Sequence, residues 1–173
     1  MRRLPLTFFR RDTTTVAREL VGCIIKREYP DGRVVFTRIT ETEAYLPAND
    51  PACHASRGPT PRTLPMFEAG GVLYVYFIYG MHWCANIVTE TKGRGCAVLL
   101  RATEHIYGPG RLAKFLELTG EHTGWKGEKA KGRNGEGFSV WVDDEWAVMQ
   151  QNVKVSTRIG ITKGAELPLR FHV

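Results

Sequence analysis

Two carboxylates, Glu41 and Glu43, stand with an aromatic, Tyr45, in the stretch Arg38-Ile39-Thr40-Glu41-Thr42-Glu43-Ala44-Tyr45. Read as a strand, its period of two sends Ile39, Glu41, Glu43 and Tyr45 to one face and Arg38, Thr40, Thr42 and Ala44 to the other. Glu43 and Tyr45 then project the same way, roughly 7 Å apart along the strand. Glutamate is depleted in strands, so two of them after an isoleucine ask for a reason. A solvated sheet face is one. The other is a carboxylate fixed on rigid structure beside a ring able to stack on a flat substrate, the placement a catalytic base needs. Strand geometry does not choose between Glu41 and Glu43.

Other reactive side chains are scattered. His54 lies in the proline-rich stretch from Leu46 to Phe67 with Ser56, Arg57 and Arg62. A loop of that length inside a compact domain is either functional or disordered, and taken alone its histidine reads as a surface residue. Arg101 ends the apolar run from Cys96 and stands near Glu104, where a simple ion pair would account for it. Cys23, Cys53, Cys84 and Cys96 form no CxxC pair, and three of them, Cys23, Cys84 and Cys96, sit in apolar sequence as small core residues. Cys53-His54 lacks a second spaced pair, so no metal site is indicated. The H-x-E and P-C-x-x-C signature of a zinc nucleobase deaminase is missing.

These residues need elements to hold them. The most aromatic run, Val72 to Ile87, follows Gly70-Gly71 and predicts a hairpin: a strand to Ile78, a tip at Tyr79-Gly80-Met81 and a return strand from His82 to Val88. Turn tips are normally polar, so Tyr79 and Met81 there call for either a covering element or a wedge between stacked bases. Upstream, Asp12 caps a helix to about Leu20, Cys23–Glu28 is a strand, Pro30-Asp31-Gly32 a turn, and Val34–Tyr45 the long partner strand. Downstream, Cys96–Arg101 is a buried strand. Gly108-Pro109-Gly110 opens a helix from Arg111 to about Leu118 with Leu112, Phe115 and Leu116 inward, and its N-terminus is a plausible phosphate contact. Gly124 to Gly137 is a glycine-rich basic loop with Lys126, Lys129, Lys131 and Arg133. Phe138–Val142 and Leu167–Val173 read as strands, and Trp146 to Ile161 is ambiguous.

Length and charge bound the function. A chain of 173 residues is one domain's worth. Its 24 lysines and arginines against 18 acidic residues give a net charge of +6, which favours a polyanionic partner such as nucleic acid. No run has the length of a membrane span or the character of a signal peptide, so a soluble, intracellular protein is expected. The expected fold class is α+β, a single domain over residues 1–173. It would have a mixed, mainly antiparallel curved sheet, short surrounding helices and a protruding hairpin.

Together the segments resemble the alkyladenine DNA glycosylase family, the 3-methyladenine DNA glycosylases of mammalian type. The resemblance runs through Leu4 to Leu20, the Glu41-Thr42-Glu43-Ala44-Tyr45 block and His54-Ala55-Ser56-Arg57-Gly58 with Thr60-Pro61-Arg62. It continues through the hairpin, Val98-Leu99-Leu100-Arg101-Ala102, Gly108-Pro109-Gly110-Arg111-Leu112 and Pro168-Leu169-Arg170-Phe171. It implies a monofunctional glycosylase acting on double-stranded DNA that carries damaged purines such as 3-methyladenine, 7-methylguanine, hypoxanthine or ethenoadenine, and starting base excision repair.

By that resemblance Glu43 is the general base, and Arg101 and the Ile159 carbonyl place the attacking water. Tyr45 and His54 form one side of a base-stacking slot and Tyr76 the other. Asn86 disfavours guanine, and Tyr79 and Met81 intercalate where the base was. The expectation includes a monomer, no cofactor and no metal, and a DNA-associated location. Cys53 stands before His54 where a small apolar residue is more usual, which would put a thiol beside the base pocket. The competing reading is a non-catalytic DNA-binding module with the same basic face and wedge.

Overall fold

The computed structural model describes residues 1–126 and 135–173. Nine strands make one curled sheet, and every ladder among the described residues is antiparallel. The strands are β1 (Arg2–Arg3), β2 (Ile24–Glu28), β3 (Val34–Tyr45), β4 (Leu73–Ile78), β5 (His82–Thr89), β6 (Cys96–Thr103), β7 (Gly137–Val142), β8 (Lys154–Ser156) and β9 (Arg170–His172). They lie in the order β1-β7-β2-β3-β6-β5-β4, with β9 joining β3 to β8. Among the described residues four short α-helices accompany them: α1 (Leu6–Phe9), α2 (Thr13–Leu20), α3 (Pro109–Phe115) and α4 (Trp146–Gln151). The α+β class and the mainly antiparallel curved sheet are as expected.

The helix α2 begins where Asp12 accepts the Thr15 N–H at 2.8 Å and buries Val16, Ala17 and Leu20. It packs across β3, where the Thr42 hydroxyl donates to the Ala17 carbonyl at 2.7 Å. That contact exposes an error in the strict alternation read along β3. Register shifts bracket Glu41, so the core face runs Thr37, Ile39 and then Thr42, Ala44. Ile39 therefore shares the α2 side with Thr42, and a β-bulge releases Glu41, Glu43 and Tyr45 to the other face. Beyond the bulge β3 also exchanges partners, leaving β2 for β9.

The hairpin is close to expectation, with Leu73 opposite Ile87 and Ile78 opposite His82. Tyr79 and Gly80 both have positive φ, 54° and 66°, and the Met81 N–H reaches the Ile78 carbonyl at 3.2 Å. The outer edge of β4 is capped rather than bare. The Leu73 N–H donates to Trp125 at 2.8 Å and its carbonyl accepts from Gly124 at 2.9 Å. The Thr123 hydroxyl both accepts from the Val75 N–H and donates to its carbonyl, each at 3.0 Å.

One expectation is corrected downstream. The helix α3 starts at Pro109 and ends at Phe115, and it buries Leu112 and Ala113 with Leu116 just beyond, while Phe115 is 40% exposed. The ambiguous stretch after Trp146 contains α4 and β8. The middle of the basic loop, with Lys129, Lys131 and Arg133, lies outside the described residues.

Gly70 enters the hairpin pressed against the backbone of α1, where an added methyl would overlap the Phe9 carbonyl. Gly70→Ala is expected to lower unfolding free energy by about 2 kcal/mol or more, read from urea denaturation. Parent-like stability would show that α1 moves freely.

Candidate active site

Glu43 has no solvent exposure. Its Oε1 accepts the Ile159 N–H at 2.8 Å and lies 3.3 Å from Arg101 Nη1; its Oε2 accepts the Tyr45 hydroxyl at 2.8 Å. Burial pushes its carboxyl above the ordinary range, opposed by the Arg101 charge and by the donors from Ile159 and Tyr45. Arg101 does not pair with Glu104. Its Nε donates to Glu41 at 2.8 Å, and its Nη1 donates to the Ile159 carbonyl at 3.4 Å.

Glu41 accepts a second arginine, Arg170 Nε, at 2.6 Å. The two glutamates on one face therefore have different surroundings. Glu41 is a counter-ion shared by two guanidiniums, whereas Glu43 is enclosed with one charge partner and two neutral donors.

Two adjoining cavities open beside this group. The outer, about 580 Å³, is lined by Tyr45, Tyr76, Cys84, Arg101, Arg111 and Ile159 among others and reaches the hairpin at Ile78 and Tyr79. The inner, about 80 Å³, is lined by Tyr45, His54, Tyr74, Tyr76 and Asn86 among others. A deeper void of about 10 Å³ belongs to the core. Glu43 lines neither cavity of the site, but its partners Tyr45, Arg101 and Ile159 line the outer one. Burial raises the Tyr45 and Tyr76 phenols, so both are neutral rings with a hydroxyl proton to donate.

His54 begins a short 3₁₀ turn, His54–Arg57, and its Nδ1 is 3.1 Å from the Tyr74 hydroxyl. It stands edge-on to Tyr76 with ring centroids 4.5 Å apart. A base stacked between two rings needs about 7 Å between their planes, twice a ~3.5 Å contact, so His54 and Tyr76 must part to admit one. Burial and the charge of Arg62 hold the His54 pKa low, which keeps the imidazole neutral at pH 7. Asn86 is buried, and its Nδ2 donates to the Tyr74 and Cys84 carbonyls at 3.0 and 3.4 Å. Its amide cannot turn freely.

At the mouth, Tyr79 is 74% and Met81 67% exposed, so among the described residues no element covers the hairpin tip. Arg62 Nη2 donates to the Phe77 carbonyl at 3.4 Å and its guanidinium lies over Tyr76 at 5.5 Å. The four cysteines are buried and free. Cys53 turns away from the cavities, its Sγ 3.6 Å from the Gly95 carbonyl, and burial raises its thiol to about 11; Cys84, not Cys53, lines the outer cavity. Among the described residues no group of three or more metal-ligating side chains exists, and no helix is long and apolar enough to cross a membrane.

Two residues went unread in the sequence. Arg158 and Asp50 form a buried, two-bonded ion pair at 2.7 and 2.6 Å directly behind Tyr45. They are 108 positions apart, and neither stands in a periodic segment that would have drawn attention to it.

A carboxylate enclosed behind the wall of an aromatic cavity, near an exposed apolar hairpin on a basic protein, fits a hydrolase that works on the bases of DNA. The chain belongs to the methylpurine-DNA glycosylase family, whose model matches residues 7–107 and 103–173. Relatives described as "Putative 3-methyladenine DNA glycosylase" include one from Synechococcus sp. (strain JA-3-3Ab), 41% identical over 91% of this chain and 89% of its own. One from Wolbachia sp. subsp. Brugia malayi (strain TRS) is 40% identical over 98% and 96%. One from Myxococcus xanthus (strain DK1622) is 50% identical over 70% and 67%.

The raised Glu43 carboxyl has a consequence for stability. A folded value above the unfolded one favours folding at low pH, and this contribution disappears as pH rises through the folded value. Replacing the charge by Glu43→Gln is therefore expected to raise Tm relative to the parent increasingly from acid to neutral pH. A Tm difference constant with pH would contradict the burial-driven shift.

Proposed function

We propose that the protein swings a damaged purine nucleotide out of duplex DNA and hydrolyses the bond from the base to C1′ of its deoxyribose, with Glu43 as general base. The observation that carries this reading is the enclosed Glu43 carboxylate, held by Tyr45, Arg101 and Ile159 at the edge of an aromatic cavity. The substrates in view are 3-methyladenine, 7-methylguanine, hypoxanthine and ethenoadenine. All are flat, and alkylation or deamination weakens their pairing or their bond to the sugar, which lowers the cost of extrusion.

Tyr79 and Met81 enter the stack from the minor groove and fill the vacated space. The extruded base stacks against Tyr45 and Tyr76. His54, neutral and bonded through Nδ1 to Tyr74, offers its Nε2 to the base edge. The fixed Asn86 amide opposes the exocyclic amine of guanine and so disfavours guanine; 7-methylguanine keeps that amine and depends on its weakened bond to the sugar.

Water enters at the edge formed by Arg101 and the Ile159 carbonyl. As the base departs with the bonding electron pair, positive charge grows on the sugar and the nearby carboxylate stabilises it. The water oxygen bonds to C1′ from the opposite face and its proton passes to Glu43, leaving an abasic site. Among the described residues no lysine lines either cavity, which supports direct hydrolysis over a Schiff-base route with strand cleavage. Glu41 is taken up by two arginines, which supports Glu43 for the base.

On a duplex with one hypoxanthine, base release read as alkali-dependent strand cleavage is expected for the parent protein. Glu43→Gln should bind the duplex as well and excise about 10²- to 10⁴-fold more slowly; equal excision would remove Glu43 from its role. Tyr79→Ala should weaken the lesion-specific complex by about 1–3 kcal/mol, the scale of one lost stack, while non-specific binding holds. Equal loss of both would make Tyr79 merely a surface residue.

A further inference from the structure

Arg158 and Asp50 are both fully enclosed. Arg158 also donates to the Ala44 carbonyl at 3.0 Å and to Gly164 at 3.2 Å, and Asp50 accepts the N–H groups of Leu46 and Ala52. The pair thus ties the segment after β3 to the one after β8. Arg158 Nε is buried and has no partner among the described residues. A buried ion pair is a poor means of gaining stability, because well-packed apolar residues in its place often serve as well or better. An orphaned N–H on the same guanidinium is a further cost. The energy of the ion pair itself is therefore weak ground for keeping it.

Its position is firmer ground. The Arg158 guanidinium lies 4.6 Å from the centre of the Tyr45 ring. Tyr45 lines both cavities and Arg158 neither, so the cation covers the ring face turned away from the slot. The Tyr45 hydroxyl holds Oε2 of Glu43, and the peptide N–H following Arg158, that of Ile159, holds Oε1. Both oxygens of the carboxylate are therefore gripped by groups that Arg158 fixes, one through its guanidinium and one through its backbone.

We infer that the Asp50–Arg158 pair is a positioning device for Glu43, backing the Tyr45 wall and setting the two neutral donors on the carboxylate. The inference rests on the reading of Glu43 as the base. The groups that face Glu43 are Glu41 and Tyr45 on β3, Arg101 on β6, Tyr76 and Cys84 on the hairpin strands, and Arg158. The pair variants remove only the last of these.

The test compares the parent, Asp50→Leu/Arg158→Met, Arg158→Lys and Glu43→Gln. Single-turnover excision is followed against pH on a duplex with one hypoxanthine and another with one 7-methylguanine. Urea denaturation and duplex Kd are measured alongside. The double variant is expected to fold with lowered stability, because four backbone groups lose their partners, and to bind duplex like the parent, yet to excise roughly 10- to 100-fold more slowly. Its rate should also rise with pH later than the parent's, because the donors that favour the Glu43 anion are no longer held on it.

Arg158→Lys keeps the charge but loses the two-pronged geometry. It is expected to fall between parent and double variant, and it decides the matter if the double variant does not fold. A folded pair variant with the parent's rate and pH profile, alongside an inactive Glu43→Gln, would overturn the inference and leave the base assignment intact. Full excision by Glu43→Gln would overturn the base assignment and the inference with it.

Discussion

The constraint on which this molecule turns is the enclosure of one carboxylate. A charged oxygen pair without solvent must find donors inside the protein, and each donor must arrive from an element fixed by something else. Glu43 finds them in three places: a hydroxyl two residues along its own strand, a guanidinium from β6, and a peptide N–H from the segment after β8. The result is a carboxylate held in place but incompletely compensated, with its proton affinity raised by burial. A weakly hydrated anion of that kind is a better base than a solvated surface glutamate.

The sheet supplies these donors because β3 lies between two sets of neighbours. One edge pairs with β6, which brings Arg101 within reach of both glutamates; the other passes from β2 to β9 at the bulge and brings Arg170 to Glu41. The bulge separates core from chemistry. Before it, buried alternation serves α2; after it, the same strand turns Glu41, Glu43 and Tyr45 to the opposite face, where Tyr45 lines both cavities and Glu43 lies behind it. One extra residue in a ladder thus does the work of a domain boundary.

Much of this was legible in the chain. Glu41, Glu43 and Tyr45 on one face follow from the period of a strand, and the hairpin follows from aromatic and β-branched residues around Gly80. What stayed hidden depended on partners distant in sequence. The bulge is a property of two strands at once, so alternation alone carried Ile39 to the wrong side. Phe115 matched an apolar helical face, but α3 ends there and Ala113 takes the inward place. The choice of Glu43 over Glu41 by residue pattern was open, and two arginines from different strands distinguish them. Asp50 and Arg158 were invisible because nothing local marks either as one half of a pair.

The capped edge of β4 bears on the solubility of an enzyme that exposes an apolar hairpin. Along that edge the outward-facing backbone groups belong to Leu73, Val75 and Phe77. The first is bonded to Trp125 and Gly124, the second to the hydroxyl of Thr123, and the third to Arg62 through its carbonyl. A single threonine side chain takes the place of a neighbouring strand at its centre. An aromatic strand with free N–H and C=O groups would invite edge-to-edge growth with other copies, the first step toward amyloid-like stacking. Bonding most of the edge lets the tip stay hydrophobic and bare without making the strand beneath it a template for aggregation.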